Sequence, residues 1–423
     1  MSEKVTGQFV LEDMTDAEKE RAKRVESVLP ILREHAAEVD DVGDFYKPHK
    51  QTLADAGLLG LVVPEEYGGL GGTLRDLCAA TFAIGTACPS TALAYFFHCS
   101  SVSRGLLGLE AVAAGQFESG EEAQAVKAFS ERVLYKMGRD RELLGNFASE
   151  TAKSSKSAVH ISSQATPIEG GWLLNGVKSF GCNTGVADEY LVAAKLAGTE
   201  TAEGLALFFV PADGEGVKER DAWDSLGMRG TASQGIVMEN VFIPAEDAMT
   251  VPGAFVKMMQ MSRGSLMGNQ CAISAIYLGA AKQAYDFALD FTTKLTFKDT
   301  GKPIASSPFH QELIGKMAVD LETARLWQVR QMTLETSEPP ILPKTDVVKN
   351  WRMAKGSISE NALNVAMYAL KMCGTSNTTN SGVISRMIRD ITMSLVMAFP
   401  AERGRLEAAK TIVEGAEQTT FSV

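Results

Sequence analysis

The chain lacks any CxxC pair: its six cysteines stand apart at positions 78, 88, 99, 182, 271 and 373. That scatter offers neither a disulfide framework nor a zinc site. No apolar run approaches the roughly 20 residues needed to cross a bilayer. The opening MSEKVTGQFV also lacks the basic start and apolar core of a secretory signal. Basic charge is in deficit, with 41 Lys and Arg against 52 Asp and Glu, and no long block carries one sign. Phosphate-backbone binding needs a basic face, so nucleic acid is excluded as a partner. Repeats of roughly 20–50 residues and low-complexity tracts are absent too. The expectation is a cytoplasmic protein without a membrane span.

What is present is globular in character. The 423 residues are 45% hydrophobic and 22% charged, long enough for two or three domains. Residues 1–145 read as an α-helical domain. DAEKERAKRVESVLPILREHAAEVD spaces its apolar residues by three and four. LRDLCAATFAIGTACPSTALAYFFHCSSVSRGLLGL is apolar on most sides, as buried helices are. Residues 146–253 read as a β-domain of short strands. HISSQATPIEGGWLLNGVKSF alternates and turns at Glu169–Gly171, and EYLVAAKL, GLALFFVPA and GIVMENVFIP are bounded by Gly, Pro and Asp.

Residues 254–423 return to helix. One long helix is expected from Lys257 to Phe291, then helices over 308–335 and 345–374, and a last one from 381 that breaks at Phe399–Pro400 and restarts. A C-terminal four-helix bundle follows from that count. The fold class is α+β.

Several motifs carry more than fold. LVVPEEYGGLGG (61–72) joins a strand-like segment to a glycine turn and a helix; an ordinary structural turn accounts for it. GNFASE (145–150), NGVKSFGCNTGVADEYLVAA (175–194), WDSLGMRGTASQGIVMENVFIPAEDAM (223–249) and SRMIRD (385–390) are more distinctive. In this order, in an α–β–α chain of this length, they resemble the acyl-CoA dehydrogenase superfamily, over about residues 15 to 415. The resemblance implies a helical N-terminal domain, a middle β-domain and a C-terminal four-helix bundle. It also implies a homotetramer or homodimer that binds FAD between the last two domains.

Carried over position by position, the resemblance places Ser149 against the flavin ring and Ser155 at the pyrophosphate, keeping a hydroxyl at each. Phe180 stands where the family commonly stacks a Trp on the ring, and Cys182 where a Thr meets its edge. From a neighbouring subunit the family brings an Arg, a Phe, a Gln and a glycine loop. The matches here are Lys294, Phe297, Gln311 and KMCGTSNTTNSG, in which Gly374 stands but Thr375 and Asn377 replace glycines. Backbone amides approach phosphate most closely at glycine, so that grip is expected to be looser. Lys294 keeps the charge but not the fork of an Arg.

The family's base, a Glu eight residues beyond the Asp of the RD pair, falls on Ala398. Arg405 and Leu406 hold the register downstream, so the acid is replaced and not displaced. A second branch takes its Glu from nine or ten residues before Gly279, where Asn269 and Gln270 stand. Other candidates are His98, at the end of a buried helix, and Glu402. A satisfied core or cap histidine and a first-turn helix acid are the readings favoured for these two. His310 fits the loop or a subunit interface.

Three readings follow from the resemblance. One is α,β-dehydrogenation of an acyl-CoA-like thioester with an atypical base and an electron-transfer flavoprotein. Another is a monooxygenase using reduced flavin, FMN included, with oxygen and a flavin reductase. The third is a non-catalytic subunit of a mixed oligomer. The VPEEYGG and LGMRGTAS segments place the dehydrogenase reading first.

Overall fold

A computed structural model describes residues 5–152, 159–264, 270–415 and 421–422. The expected α+β order is present. Helices α1 (Asp16–Val42), α2 (Lys47–Asp55), α3 (Leu74–Ala87), α4 (Pro89–Ser100), α5 (Val102–Ala113) and α6 (Gly120–Gly138) precede the sheet. The capped starts come from sequence: Thr15, Thr73 and Ser119 each accept an amide while Glu18, Asp76 and Glu122 answer three residues later. Asp76 also takes Arg21 at 2.7 Å, which locks α3 to α1.

The strands are β1 (Leu144–Phe147), β2 (Val159–His160), β3 (Gln164–Ile168), β4 (Gly171–Lys178), β5 (Glu189–Leu196), β6 (Leu205–Pro211), β7 (Val217–Glu219), β8 (Ile236–Pro244) and β9 (Ala248–Met249). The main sheet runs β7-β8-β4-β3-β5-β6-β9, with β1 also on β5. The hairpin expected at Glu169–Gly171 forms, with Gly170 at φ 81°. The central strands β5 and β6 are buried almost throughout, and a second core of Val192, Phe208, Ile236 and Ile243 fills one face.

Helices α7 (Ala254–Gln260), α8 (Cys271–Lys294), α9 (Pro308–Thr336), α10 (Lys344–Cys373), α11 (Val383–Met393) and α12 (Ala401–Glu414) follow, and a last short strand β10 (Phe421–Ser422) pairs with β2. α8 to α11 form the bundle, with α10 against the other three and α12 laid on α10. Among the described residues no helix is long and apolar enough to cross a membrane.

Three expectations are corrected. The helix expected over 257–291 is two helices, α7 ending at Gln260 and α8 starting at Cys271. Leu61–Val63 is not a strand; it lies between 3-10 turns at Leu58–Gly60 and Glu65–Tyr67. Its backbone bonds close locally, as Gly71 and Gly72 donate to Val63 and Leu61, so no neighbouring strand is needed. α11 stops at Met393, before Phe399; beyond it the backbone runs in turns, Leu395 donating to Thr392 and Met397 to Met393.

The seam between α3 and α8 brings the helical N-terminal region onto the bundle. A Cβ on Gly85 would lie 2.6 Å from the Ile276 carbonyl, and one on Gly279 would lie 2.3 Å from the Phe82 carbonyl. Backbone therefore packs on backbone there, and glycine is required for the approach rather than for φ.

Candidate functional site

Three segments converge where the sheet meets the bundle: the residues after β4, the loop 228–233, and the connection after α11. The amides of Asn183 and Thr184 donate to the carbonyls of Thr231 and Ala232, both at 3.0 Å. Asn183 Nδ2 reaches the Ala94 carbonyl on α4 at 2.9 Å. The Met228 amide donates to Asp390 Oδ1 at 2.6 Å, tying the loop to α11. Among the described residues seven non-glycine residues have positive φ, and five of them (Phe180, Asn183, Met228, Ala232 and Ala398) come from these segments. Left-handed backbone at such residues costs energy and concentrates where a site demands it.

Under the ends of β1 and β4 lies a buried ion pair. Lys178 Nζ is 2.6 Å from Glu150 Oε1, with the lysine side chain fully enclosed. Glu150 also accepts the amides of Ser162 (2.8 Å) and Ser163 (3.0 Å) and both serine hydroxyls. Burial works to raise the Glu150 pKa, but the Lys178 charge and these bonds outweigh it and hold the carboxyl at about 2. The neighbouring residues point outward. Ser149 is exposed, its carbonyl taking the Ser179 amide at 2.9 Å. Phe180 leaves 54% of its surface open, with φ 58° and an edge contact to Trp223 at 6.2 Å.

Beneath this platform the packing is closed. Cys182 is 2% exposed, and its Sγ meets Ser233 Oγ at 3.0 Å; Ser233 in turn meets Thr231 Oγ1 at 2.7 Å. Burial pushes the Cys182 thiol up to about 12, so it is neutral. Tyr277 of α8 is enclosed beside it, its hydroxyl 3.8 Å from Met397 Sδ. Asp390 is likewise enclosed, and burial raises it to about 7 despite the Met228 bond. Among the described residues no group of three His, Cys, Asp or Glu could hold a metal.

At the turn itself, Ala398 is exposed at φ 60°, and the Phe399 amide donates back to Met397 at 2.8 Å. This is a three-residue turn with only a methyl at its apex. Glu402 lies in the first turn of α12, exposed and paired with Arg405 at 3.3 Å. His98 is buried with both nitrogens engaged: Nδ1 accepts the Leu144 amide at 3.0 Å and Nε2 donates to the Leu59 carbonyl at 2.8 Å. That arrangement fastens α4 to β1 and leaves no ring nitrogen for a substrate.

The remaining sequence candidates divide. Ser155 and Asn269 lie outside the described residues; Gln270 precedes α8 with its side chain half-buried. Lys294 pairs with Asp290 at 2.7 Å, Phe297 is half-buried in the α8–α9 connection, Gln311 and His310 sit in the first turn of α9, and Gly374 caps α10 at φ 72°. The Lys316 ammonium lies 5.8 Å from the Tyr368 ring, joining the first turns of α9 to the last turns of α10. So Lys294, Phe297, Gln311 and Gly374 share one end of the bundle. Tyr277 stands at the other end, about 25 Å away along α8 at 1.5 Å per residue.

Three residues of this region carry no sequence signal as site residues. Tyr277 and Lys355 look like ordinary helix positions, and Asp390 enters only as the marker from which the missing acid is counted.

Two buried histidines set an acid limit on the fold. Burial lowers His98 and His49 to about 4, below the ordinary 6.5. Both are thus neutral when folded, and unfolding takes up protons between those values. Their contribution is full above pH 6.5 and is lost as pH falls toward 4, at most roughly 3 kcal/mol each. Asp390, held protonated to higher pH, opposes this with one group against two. Denaturant midpoints at pH 7 and pH 5 should show a loss at pH 5 that shrinks in His49→Gln. An equal loss in both proteins would contradict it.

Comparison with known proteins gives a consistent result. Sequence models of the acyl-CoA dehydrogenase N-terminal, middle and C-terminal domains match residues 18–109, 147–241 and 271–398. The chain is 26% identical over 381 residues to a probable acyl-CoA dehydrogenase of Bacillus subtilis, YngJ, covering 90% of this chain and 93% of that one. Among solved structures it is similar to KijD3, crystallised with FMN and a dTDP-linked 3-amino sugar. There the TM-score is 0.79 at 22% identity, covering 98% of both chains. It is also similar to dibenzothiophene monooxygenase, TdsC, of Paenibacillus sp. A11-2, with TM-score 0.77 at 20% identity over 96% of this chain and 99% of that one.

Proposed function

The chain belongs to the acyl-CoA dehydrogenase family, and on that premise we propose that it is a flavin-dependent oxidoreductase working without a carboxylate at the turn after α11. The observation that carries the proposal is the Ala398 turn: a methyl at the apex, with Glu402 turned to solvent and His98 locked to backbone. Abstracting a proton next to a thioester carbonyl needs a base within hydrogen-bond reach whose pKa suits the task. Cys182 is sealed and Asp390 is enclosed on its amide, so neither supplies one.

The residues present fit a flat aromatic cofactor. An exposed ring held in strained backbone beside an exposed hydroxyl offers a stacking face and a hydrogen bond, at Phe180 and Ser149. When bound, a flavin, FAD or FMN, supplies hydride acceptance or reaction with oxygen. The chain's own residues bind and orient it. Phe180 would offer it a stacking face and Ser149 a hydrogen bond, above the buried Cys182, Tyr277 and Met228. Lys294, Phe297, Gln311 and Gly374 would serve the cofactor of a second copy, since they stand at the far end of the bundle.

The reading favoured by the absent base is monooxygenation of a small substrate, with reduced flavin delivered by a flavin reductase. Dehydrogenation of an acyl-CoA-like thioester, with an electron-transfer flavoprotein as acceptor, is the second reading; the likeness to a probable dehydrogenase over 90% of the chain favours it. The deciding experiment gives the flavin-loaded protein a panel of acyl-CoAs without oxygen, then reduced flavin with oxygen and small aromatic or amine substrates. Oxygenated product without thioester bleaching is expected. Stoichiometric bleaching by a thioester would establish the second reading instead.

Phe180→Ala should weaken flavin binding about tenfold, the value of one lost aromatic stacking contact. Flavin fluorescence titration measures it; an unchanged Kd would remove Phe180 from the cofactor site.

A further inference from the structure

Lys355 sits in the middle of α10 and is 1% exposed. Its ammonium donates to two backbone carbonyls, Ser394 and, at 2.7 Å, Phe399. Those carbonyls stand at the two ends of the connection between α11 and α12, and Ala398 lies on the loop they close. The Ser394 carbonyl is one of those a helix leaves unsatisfied at its C-terminus, where negative partial charge gathers. Ser359 Oγ supports the same carbonyl at 3.4 Å.

The far anchor is clasped as well. The Phe399 ring has Trp351 edge-on at 6.1 Å, the Arg352 guanidinium at 5.1 Å and Lys355 Nζ at 5.4 Å. Arg352 is itself held by Glu407 of α12 at 2.9 Å, which also takes Arg403 at 2.7 Å. A Cβ on Gly356 would meet Ala401 at 2.7 Å, so α10 and α12 touch directly beside the clasp. An enclosed ammonium is costly where an apolar chain of equal length would fill the space. What the charge adds is two directed bonds across one loop, and with them a fixed place for the turn.

We propose that Lys355 is a positioning residue that staples the Ser394–Phe399 connection and thereby sets where Met397 and Ala398 meet the substrate. The substrate clause rests on the functional reading above; the staple itself does not. Because Lys355 acts on carbonyls and not on a carboxylate, the device works whether or not an acid stands at position 398.

The test compares Lys355→Gln, too short to span both carbonyls, with Lys355→Arg, which keeps a charged donor of similar reach. In the flavin-loaded protein, amide hydrogen exchange at Leu395–Phe399 should rise about tenfold in Lys355→Gln. Exchange across β5 and β6 should stay at the parent value, and Lys355→Arg should recover much of the protection. Ligands that perturb the parent flavin spectrum should bind about tenfold more weakly to Lys355→Gln and regain affinity in Lys355→Arg. A folded Lys355→Gln with parental exchange at 395–399 and parental ligand affinity would overturn the proposal. If Lys355→Gln does not fold, Lys355→Arg decides: protection lost across the whole bundle overturns a local staple, and change confined to 394–399 supports it. Should no ligand perturb the parent spectrum, the functional reading fails while the exchange comparison still settles the staple.

Discussion

Glu150→Gln is expected to cost about 3–5 kcal/mol of stability and to abolish flavin retention, because it leaves the Lys178 charge buried and unanswered. Lys178 has no exposed surface, and its ammonium meets Glu150 at 2.6 Å. Glutamine keeps the shape, but its single carbonyl oxygen can accept from only one of Ser162 and Ser163, so one set of bonds is lost together with the charge. The effect reaches function through geometry. Glu150 follows Ser149, and Lys178 comes two residues before Phe180, so the pair fixes the relative placement of both faces offered to the cofactor. A double variant, Glu150→Gln with Lys178→Met, should recover much of the stability, since it removes the unanswered buried charge. Denaturant midpoints and retained flavin absorbance give the comparison. A single variant within 1 kcal/mol of the parent would contradict the account.

Gly279→Leu is the second large effect. Its Cβ would fall 2.3 Å from the Phe82 carbonyl and 3.1 Å from Gly85. A backbone carbonyl has no flexible end to yield, so α3 and α8 must separate along the seam. Overpacking of this kind costs about 3 kcal/mol or more, and the separation displaces Tyr277, two residues before Gly279, from its buried place. The contrast is Gly315→Ala on α9, where nothing lies within 4 Å of the added carbon. That change should stabilise by up to about 1 kcal/mol through helix propensity. Thermal midpoints and soluble yield distinguish them; similar midpoints for the two variants would refute the close-packed seam.

Legibility in the sequence followed the range of the force involved. Strands such as EYLVAAKL and GIVMENVFIP, which coincide with β5 and β8, announce themselves as short strand-like runs bounded by Gly, Pro and Asp. The capped helix starts are local too. The break between α7 and α8 was hidden because both flanks are apolar at helical spacing and no proline marks the interruption. The early end of α11 was hidden as well, and the Lys355 bond to the Ser394 carbonyl just beyond it comes from a different helix.

The site divides in the same way. Phe180 and Ser149 were visible as side-chain types at motif positions, and the structure leaves both open. Cys182, expected at the ring edge, is instead sealed against Ser233, a partner about fifty residues away that no spacing rule would supply. His98 carried two readings on one helix, a core or cap histidine first and a site histidine second. Its partners at Leu59 and Leu144, distant in sequence, make it a fastener.

The central claim is that no group among the described residues can take a proton from the carbon beside a thioester carbonyl at the Ala398 turn. The direct measurement incubates the flavin-loaded protein with a non-oxidisable acyl-CoA analogue in deuterium oxide and follows deuterium at that carbon by NMR. The account predicts incorporation at the buffer rate with the parent chain. Ala398→Glu should accelerate it if the analogue is seated there. Protein-dependent exchange by the parent chain, saturating with analogue, would contradict the account and place a working base in the site.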